Sequence, residues 1–264
     1  MNNKVKNKAG VEKNIRQIPE IVAAKELFVI ATTIDDNYSL GNFLSDFAHS
    51  VKQKRLLASQ IFSKASTLTI SVLNDLLDRP YSASRDLVDS VEDCALDLIF
   101  DTAALLSILD KIVYELNLAA YQLKAYPLLS EKLGKIDVNK EIRKSILDEF
   151  FAGKVNPLTL MLMHHSTYAL RNKNFVSTLF WLVELITKKL NRILVNVTVA
   201  VRPTQEQLKR LEKIIEKKTK KEITFNIVID KNIISGMKLQ YGDTLIDGTT
   251  TSKIKDLKKA LEKI

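Results

Sequence analysis

The segment RILVNVTVAV, residues 192–201, decides the fold, because the apolar residues change there from a helical to a strand period. Every second position from Ile193 to Val201 is Ile or Val, and the residues between them include Asn196 and Thr198. Alternation over this length indicates a β-strand with one buried face. The segment divides the chain into a long part before it and a short part after it, with different architectures.

Before this segment, from about Ile15 to Leu190, apolar residues recur at intervals of three and four, as at Leu40, Leu44 and Phe47. Such stripes indicate amphipathic helices. Only seven Gly and five Pro occur in 264 residues, which favours long helices over a sandwich or a barrel. Short connections between the helices predict a bundle with antiparallel neighbours.

After the segment, Thr204 and Gln207 have the spacing of a capping box and begin a predicted helix. Two further strands are predicted around 223–229 and 237–241, with room for a short fourth strand behind them. A last helix is predicted from about Ser252 to Ile264. The predicted fold class is therefore an N-terminal all-helical bundle followed by a small C-terminal α/β module.

The helical part contains a weak internal repeat. A run from Leu44 to Val88 resembles a second run from Leu129 to Val176, with an offset of 85 residues at the start and 88 at the end. Amphipathic helices imitate repeats easily, so duplication of the bundle is a hypothesis at this point.

The charge of the chain is concentrated near its C-terminal end. Residues 1–187 hold 22 basic and 22 acidic side chains, whereas residues 188–264 hold 18 basic and 9 acidic ones. The net charge of +9 therefore lies in the last third. A basic surface suits an acidic partner, which includes nucleic acid, anionic lipid and acidic protein surfaces, but it also serves simply to keep a domain soluble.

The sequence contains no recognisable catalytic constellation. The single Cys94 excludes an internal disulfide framework, and no apolar run reaches the ~18 residues of a membrane span. A GxxxxGK phosphate loop is absent. The adjacent His164 and His165 would point about 100° apart on a helix and cannot both bind one metal from one face. We therefore expect no active site, no cofactor, no metal site and no small-molecule substrate.

The basic C-terminal module leaves a nucleic-acid-binding protein as the alternative function. Proteins that bind single strands on a sheet combine basic residues with several aromatic ones. The predicted strands carry only Phe225 and Tyr241, and Phe225 belongs to the apolar alternation that should face the helices. The signal for nucleic-acid binding is therefore weak.

A longer signature covers the end of the chain: IDKNIISGMKLQYGD at residues 229–243, followed by LIDGT at 245–249. It resembles the C-terminal signature of the ATP synthase delta subunit family, which includes the mitochondrial oligomycin-sensitivity-conferring protein. Residues 197–208, which lead into the predicted helix, are also similar to the corresponding family segment.

The sequence departs from the family pattern at three places. Ser235 stands where a Gly is usual, Gln240 where a basic residue is frequent, and residues 250–252 where an Arg commonly falls. These departures affect local contacts only.

The resemblance implies a non-catalytic stator subunit of an F-type proton-translocating ATP synthase. It implies a helical region that binds the N-terminal segments of the alpha subunits, and a C-terminal module that binds the b subunit of the peripheral stalk and resists rotor torque. Residues 1–90 would be a helical extension and a first copy of the bundle, 91–190 the family's N-terminal bundle, and 191–264 its C-terminal domain. The complex would hold the chain at the cytoplasmic side of the cell membrane.

The resemblance also suggests a groove for a helix of the alpha subunit in the second copy of the bundle. The groove would use six residues: Leu96, Ile99, Phe100, Leu160, Met161 and His164. Plain core packing is an equally good interpretation of these residues.

A second surface is predicted on the last helix, where Leu257 and Leu261 lie in an apolar line flanked by lysines. A helix of about three turns is marginal alone and has to dock on something. We predict that it helps to hold the b subunit, with docking on its own sheet as the alternative.

Overall fold

A computed structural model describes residues 15–134, 138–168, 174–241 and 244–252 of the chain. The chain divides into two compact units. Unit 1 draws on residues 1–115 and 131–175, and unit 2 on residues 116–130 and 176–264. Each unit therefore combines two separate stretches of the chain.

Ten helices precede the first strand in the part of the chain that the structure describes. They are α1 (Pro19–Asp36), α2 (Tyr38–Ser45), α3 (Val51–Ile61), α4 (Thr67–Leu77), α5 (Ser84–Leu105), α6 (Leu109–Lys124), α7 (Pro127–Gly134), α8 (Lys140–Phe151), α9 (Pro157–Ser166) and α10 (Phe175–Lys189). The strands and one further helix follow as β1 (Ile193–Val199), α11 (Gln205–Thr219), β2 (Ile223–Ile229), β3 (Met237–Tyr241) and β4 (Thr244–Asp247).

Local sequence specifies where several helices begin. Ser50 begins α3 with a capping box, in which its hydroxyl accepts from the backbone N–H of Gln53 and the Gln53 side chain accepts from the backbone N–H of Ser50. Pro19 and Pro157 stand at the starts of α1 and α9, where the missing N–H has no helical partner to lose.

Helices α1 and α5 form the most extensive helix pair of unit 1. A guanidinium nitrogen of Arg85, at the start of α5, lies 3.1 Å from a carboxylate oxygen of Asp35, at the end of α1, so the two helices run antiparallel. Helix α1 is buried on more than one side, through eight residues: Ile21, Ala23, Ala24, Leu27, Phe28, Ile30, Ala31 and Ile34.

The order of the helices repeats along the chain. Helices α6 to α10 begin 89 to 91 residues after α1 to α5, respectively. For example, α3 begins at Val51 and α8 begins at Lys140. The last turns of α2 and α7 carry the fully buried Leu44 and Leu133, which are 89 residues apart. The offset of 85 that the sequence suggested at Leu129 therefore falls one helical turn short of the equivalent residue.

The strands form one mixed sheet in the order β2-β1-β3-β4. Strand β1 pairs in parallel with β2, with Val195 opposite Phe225, and antiparallel with β3. Strand β4 pairs antiparallel with β3 and is the last strand of the sheet as described. A parallel pair needs a crossover, and α11 supplies it.

One face of the sheet and α11 enclose a small core. Its buried members are Val195, Val197, Val199, Ile215, Ile223, Leu239 and Tyr241. Phe225 packs against this cluster, on the apolar side that the sequence assigned to it. The predicted capping box at Thr204 and Gln207 begins α11.

The predicted fold class is confirmed, with a helical N-terminal part and a small C-terminal mixed sheet. Within the described residues, strands occur only from Ile193 onward. Residues 250–252 are helical, while the rest of the predicted last helix, 253–264, lies outside the described residues. The three predicted domain boundaries remain predictions.

Candidate partner-binding site

The start of α9 is fixed by a buried carboxylate in unit 1. Oε2 of Glu115, on α6, accepts hydrogen bonds from the backbone N–H of Asn156 at 2.8 Å and from the hydroxyl of Thr159. The Asn156 side chain caps the helix by accepting from the backbone N–H of Leu158. A buried carboxylate needs such donors, so these bonds set the position of α9.

The same arrangement occurs at the start of α4. Oε2 of Glu26, on α1, accepts from the backbone N–H of Ser66 at 2.8 Å, from the Ser66 hydroxyl at 2.7 Å and from the Thr69 hydroxyl. Burial raises the pKa of Glu26, but the hydrogen bonds from Thr69 and Ser66 outweigh it and bring the pKa below its ordinary value. Glu26 and Glu115 thus have equivalent roles.

Helix α9 is also tied to α8. Arg143, on α8, is 2% exposed, and its guanidinium donates to the backbone carbonyl of Thr167 just after α9. Asn139 caps the start of α8 by accepting from the backbone N–H of Glu141. Helix α9 is therefore held by α8 at its end, as well as by α6 at its start.

Helices α1, α8 and α9 line a half-open cavity of about 550 Å³ in unit 1. Its apolar lining includes Ile21, Phe28, Leu158, Leu160 and Met161. A pocket of this size, with an apolar lining and a few polar groups, has the character of a binding site for a ligand or for side chains of a partner.

His164 and Asp148 form the polar side of the cavity. Nε2 of His164 lies 2.9 Å from Oδ1 of Asp148. Burial lowers the pKa of His164, the nearby cations Lys144 and Arg16 lower it further, and Asp148 opposes them. The imidazole is therefore held toward its neutral form in spite of the neighbouring carboxylate.

The ring of Phe28 inserts where α5 and α9 meet. It stacks on the imidazole of His165, with 3.6 Å between the ring centroids. Nε2 of His165 lies 3.7 Å from Oε1 of Glu92, on α5. Phe28 on α1, His165 on α9 and Glu92 on α5 thus meet at one buried junction.

The structure separates the six predicted groove residues into two sets. Leu160, Met161 and His164 line the cavity. Leu96, Ile99 and Phe100 are 0–2% exposed and belong to the core of unit 1. Leu257 and Leu261 lie outside the described residues.

Three basic side chains border the cavity: Arg16, Lys25 and Lys144. None of them forms a salt bridge with another described residue, whereas one of the two bordering acids, Asp36, is paired with Lys140 at 2.7 Å. The rim of the cavity therefore presents an excess of positive charge.

The second face of the sheet carries a polar cluster in unit 2. Nδ2 of Asn226 donates to Oδ1 of Asn196, its neighbour across β1 and β2, at 2.6 Å, and to the hydroxyl of Tyr121 at 2.8 Å. The Tyr121 ring packs edge-on against Phe180, on α10, with 5.2 Å between the centroids. These contacts attach residues of α6 and α10 to the sheet.

Strand β4 leaves its outer edge without a strand partner among the described residues. All four of its residues are exposed, and Leu245 and Ile246 are 56% and 42% exposed. Such an edge is able to pair with an extended segment of another chain.

Two features that would indicate other functions do not occur in the described ranges. No group of three or more His, Cys, Asp or Glu side chains there is placed to hold a metal ion. None of the helices that the structure describes is both long enough and apolar enough to cross a membrane.

A helical part that presents an apolar cavity, followed in sequence by a small basic α/β module, suits a protein that works through contact surfaces. Residues 98–261 match the family model of the ATP synthase delta (OSCP) subunit. This match spans more than half of the chain, and the chain belongs to that family. It is a non-catalytic stator subunit of the ATP synthase.

Curated relatives extend the match toward the N-terminus. The ATP synthase subunit delta of Bifidobacterium longum (strain DJO10A) is 28% identical over 239 residues, which cover 90% of this chain and 86% of the relative. That of Thermobifida fusca (strain YX) is 27% identical over 237 residues, 89% of this chain and 88% of the relative. These alignments are longer than the family match and therefore include residues before position 98.

Among solved structures, a chain in the cryo-EM structure of the Toxoplasma gondii mitochondrial ATP synthase hexamer is 15% identical. It covers 63% of this chain and 94% of its own length, with a TM-score of 0.37.

Sequence reasoning missed the two carboxylates and the polar cluster on the sheet. A signal existed for the carboxylates, because Glu26 and Glu115 are 89 residues apart, and Thr69 and Thr159 are 90 apart. That spacing equals the repeat of the helices. No local pattern links Tyr121 to Asn226, which are 105 residues apart.

Proposed function

We propose that this chain connects the alpha subunits of the catalytic head to the b subunit of the peripheral stalk, at the cytoplasmic side of the cell membrane. Membership of the family supports this division of roles. The observation that carries it is the cavity in unit 1, where the predicted residues Leu160, Met161 and His164 lie together. The nucleic-acid alternative receives no support from the comparisons.

The proposed partner of the cavity is the N-terminal segment of the alpha subunit. An amphipathic helix binds a groove through apolar anchors at i, i+3, i+4 and i+7. The lining of Phe28, Leu158 and Leu160 suits such anchors, and the basic rim favours acidic flanking residues.

The proposed partner of the C-terminal module is the b subunit. Residues 188–264 carry 18 basic and 9 acidic side chains, which would steer an acidic partner. We propose Leu257 and Leu261 as the anchors of this contact.

Substitution of Met161 tests the contact with alpha. Met161 is partly exposed, so Met161→Asp should leave the fold intact and place a charge among the apolar anchors. We expect binding of a peptide from the alpha N-terminus to weaken at least about tenfold in fluorescence titration. The matched control is Ile142→Asp, at a 54% exposed residue of α8 that does not line the cavity. Equal affinity of both variants and the unaltered chain would remove the cavity from the proposal.

Substitution of Leu261 tests the contact with b. Truncation of a buried Leu typically costs ~2–5 kcal/mol, so Leu261→Ala should weaken binding of the soluble part of b at least about tenfold if Leu261 is an anchor. Val201→Ala, at a 79% exposed position, is the control. If a chain without residues 252–264 stays folded and recruits b with undiminished affinity, the stalk contact lies elsewhere.

A further inference from the structure

The six residues predicted to form a groove lie on α5 and α9. The position of α1 changes the interpretation of this α5–α9 groove. That groove is closed at its α5 side, where three residues are only 0–2% exposed: Leu96, Ile99 and Phe100. Residues this deeply buried have no surface to offer to a partner helix unless something else moves away. The segment that closes the groove can be identified from the contacts of α5 and α9.

That segment is α1. Its Asp35 contacts Arg85 at the start of α5, and its Phe28 reaches the His165–Glu92 junction seven residues further along α5. Because the two helices are antiparallel, earlier residues of α1 lie beside later residues of α5. The N-terminal half of α1 therefore runs beside the part of α5 that follows Glu92. Leu96 and Ile99 lie one and two turns beyond Glu92 on the same face of α5.

Helix α1 also reaches the other wall of the groove. Phe28 stacks on His165 of α9, and Asp36 accepts from Nζ of Lys140, at the start of α8, at 2.7 Å. The helix begins with Pro19 and presents Ile21, Ala24 and Phe28 on one face, which is the i, i+3, i+7 spacing of a helix bound in a groove.

Helix α1 lies before the family match, which begins at residue 98. The groove residues from Ile99 onward lie within that match. The part of the chain shared with the whole family thus supplies most of the groove, and the N-terminal extension supplies the helix that fills it.

We propose that α1 is the resident helix of the α5–α9 groove and stays there when the alpha subunit binds. Under the proposed function, on which this inference rests, the alpha segment then docks outside α1. Its place is the cavity that α1 forms with α8 and α9, and it meets the cations Arg16, Lys25 and Lys144 there. The extension therefore does not merely lengthen the protein, since it replaces one binding surface by another.

The test is hydrogen–deuterium exchange of the full-length chain, alone and saturated with a peptide from the N-terminus of its own alpha subunit. We expect the amides of residues 19–36 to keep their protection in the complex, and those of α9 to gain protection. Charge reversal at the rim, Lys25→Glu, should weaken the peptide roughly fivefold, because rim charges steer binding. Lys209→Glu, an exposed lysine on α11, should leave the affinity unchanged.

The outcomes separate this inference from the proposed function. Faster exchange of residues 19–36 on binding would mean that the peptide displaces α1, and it would overturn the inference while leaving the link to alpha intact. Equal affinity of the Lys25→Glu and Lys209→Glu variants would also overturn it, because the peptide would then lie away from the rim. Absence of binding by the unaltered chain would overturn the assignment of alpha itself.

Discussion

At the scale of single residues, two carboxylates determine how helices α4 and α9 begin. Glu26 and Glu115 each satisfy a backbone N–H that precedes a helix and a hydroxyl one turn inside it. The first N–H groups of a helix have no partner within it, so a carboxylate from another helix both satisfies them and fixes the angle at which the helix departs.

The lowered pKa of Glu26 predicts a stability that depends on pH. The pKa of this carboxyl group is lower in the folded chain than in the unfolded chain, where it is 4.5, so the ionised group stabilises the fold above pH 4.5. This stabilisation is lost as the pH falls through the pKa of the folded chain. Glu26→Gln should reduce the free energy of unfolding by about 1 kcal/mol at pH 7, since Glu26 is only partly buried. The difference from the unaltered chain should shrink in urea unfolding at pH 3 to 4.

The control for that measurement is Glu149→Gln on α8, an exposed residue. It should change the free energy of unfolding little at either pH. A Glu26→Gln difference that stayed constant from pH 7 to pH 3 would contradict the role given to the ionised carboxylate.

At the scale of elements, the turns around β3 and β4 depend on a close approach of two glycines. Gly236 has φ +88°, and a Cβ there would lie 2.4 Å from the carbonyl oxygen of Gly248. The backbone N–H of Gly248 donates to the carbonyl of Met237, which keeps the two segments together. Both glycines belong to the signature that revealed the family.

Gly236→Ala should therefore lower the free energy of unfolding by more than the positive φ alone would, because the new Cβ also meets the carbonyl oxygen of Gly248. The matched control is Gly153→Ala, because Gly153 also has a positive φ, +72°, but a Cβ there would meet nothing within 4 Å. We expect about 1–2 kcal/mol for Gly153→Ala, from the left-handed conformation, and a clearly larger loss for Gly236→Ala. Thermal unfolding of the two variants measures the difference, and equal losses would disprove the role of the contact with Gly248.

The polar cluster on the sheet makes a second prediction at this scale. Tyr121→Phe removes the hydroxyl that accepts from Asn226 and keeps the packing against Phe180, so it should cost about 1 kcal/mol of the free energy of unfolding. Tyr114→Phe, at a 58% exposed position of the same helix, should cost almost nothing. Urea unfolding checks both, and identical midpoints for the two variants would refute the contribution of this bond.

Sequence patterns predicted the elements better than the contacts between them. The strand at Ile193 and the helix at Thr204 are encoded locally, by alternation and by a capping box, and both were found. The packing of α1 against α5 and α9 depends on residues such as Phe28 and His165, which are 137 positions apart. The period of the apolar residues predicts that such positions are buried, but it does not predict which face of which helix packs against them.

The predicted binding residues show the same limit. Leu160 and Phe100 have equally apolar helical settings in the sequence and both are buried, yet only Leu160 lines the cavity. Only the position of a third helix distinguishes them.

At the scale of the whole molecule, the function requires contact surfaces and no reacting groups. The isolated chain should not bind Mg-ATP in a defined site, because its sequence has no phosphate-cradling loop. Isothermal titration calorimetry should show no stoichiometric heat, while the catalytic hexamer under the same conditions serves as the positive control. A saturable isotherm at micromolar concentration would contradict this prediction.

The outer edge of β4, which has no strand partner among the described residues, has a consequence for the chain before it is assembled into the complex. An exposed strand with apolar residues such as Leu245 and Ile246 is a template for pairing with any other free strand, including the same strand of a second molecule. A chain made in excess of its partners would thus be prone to aggregation and to removal by proteases.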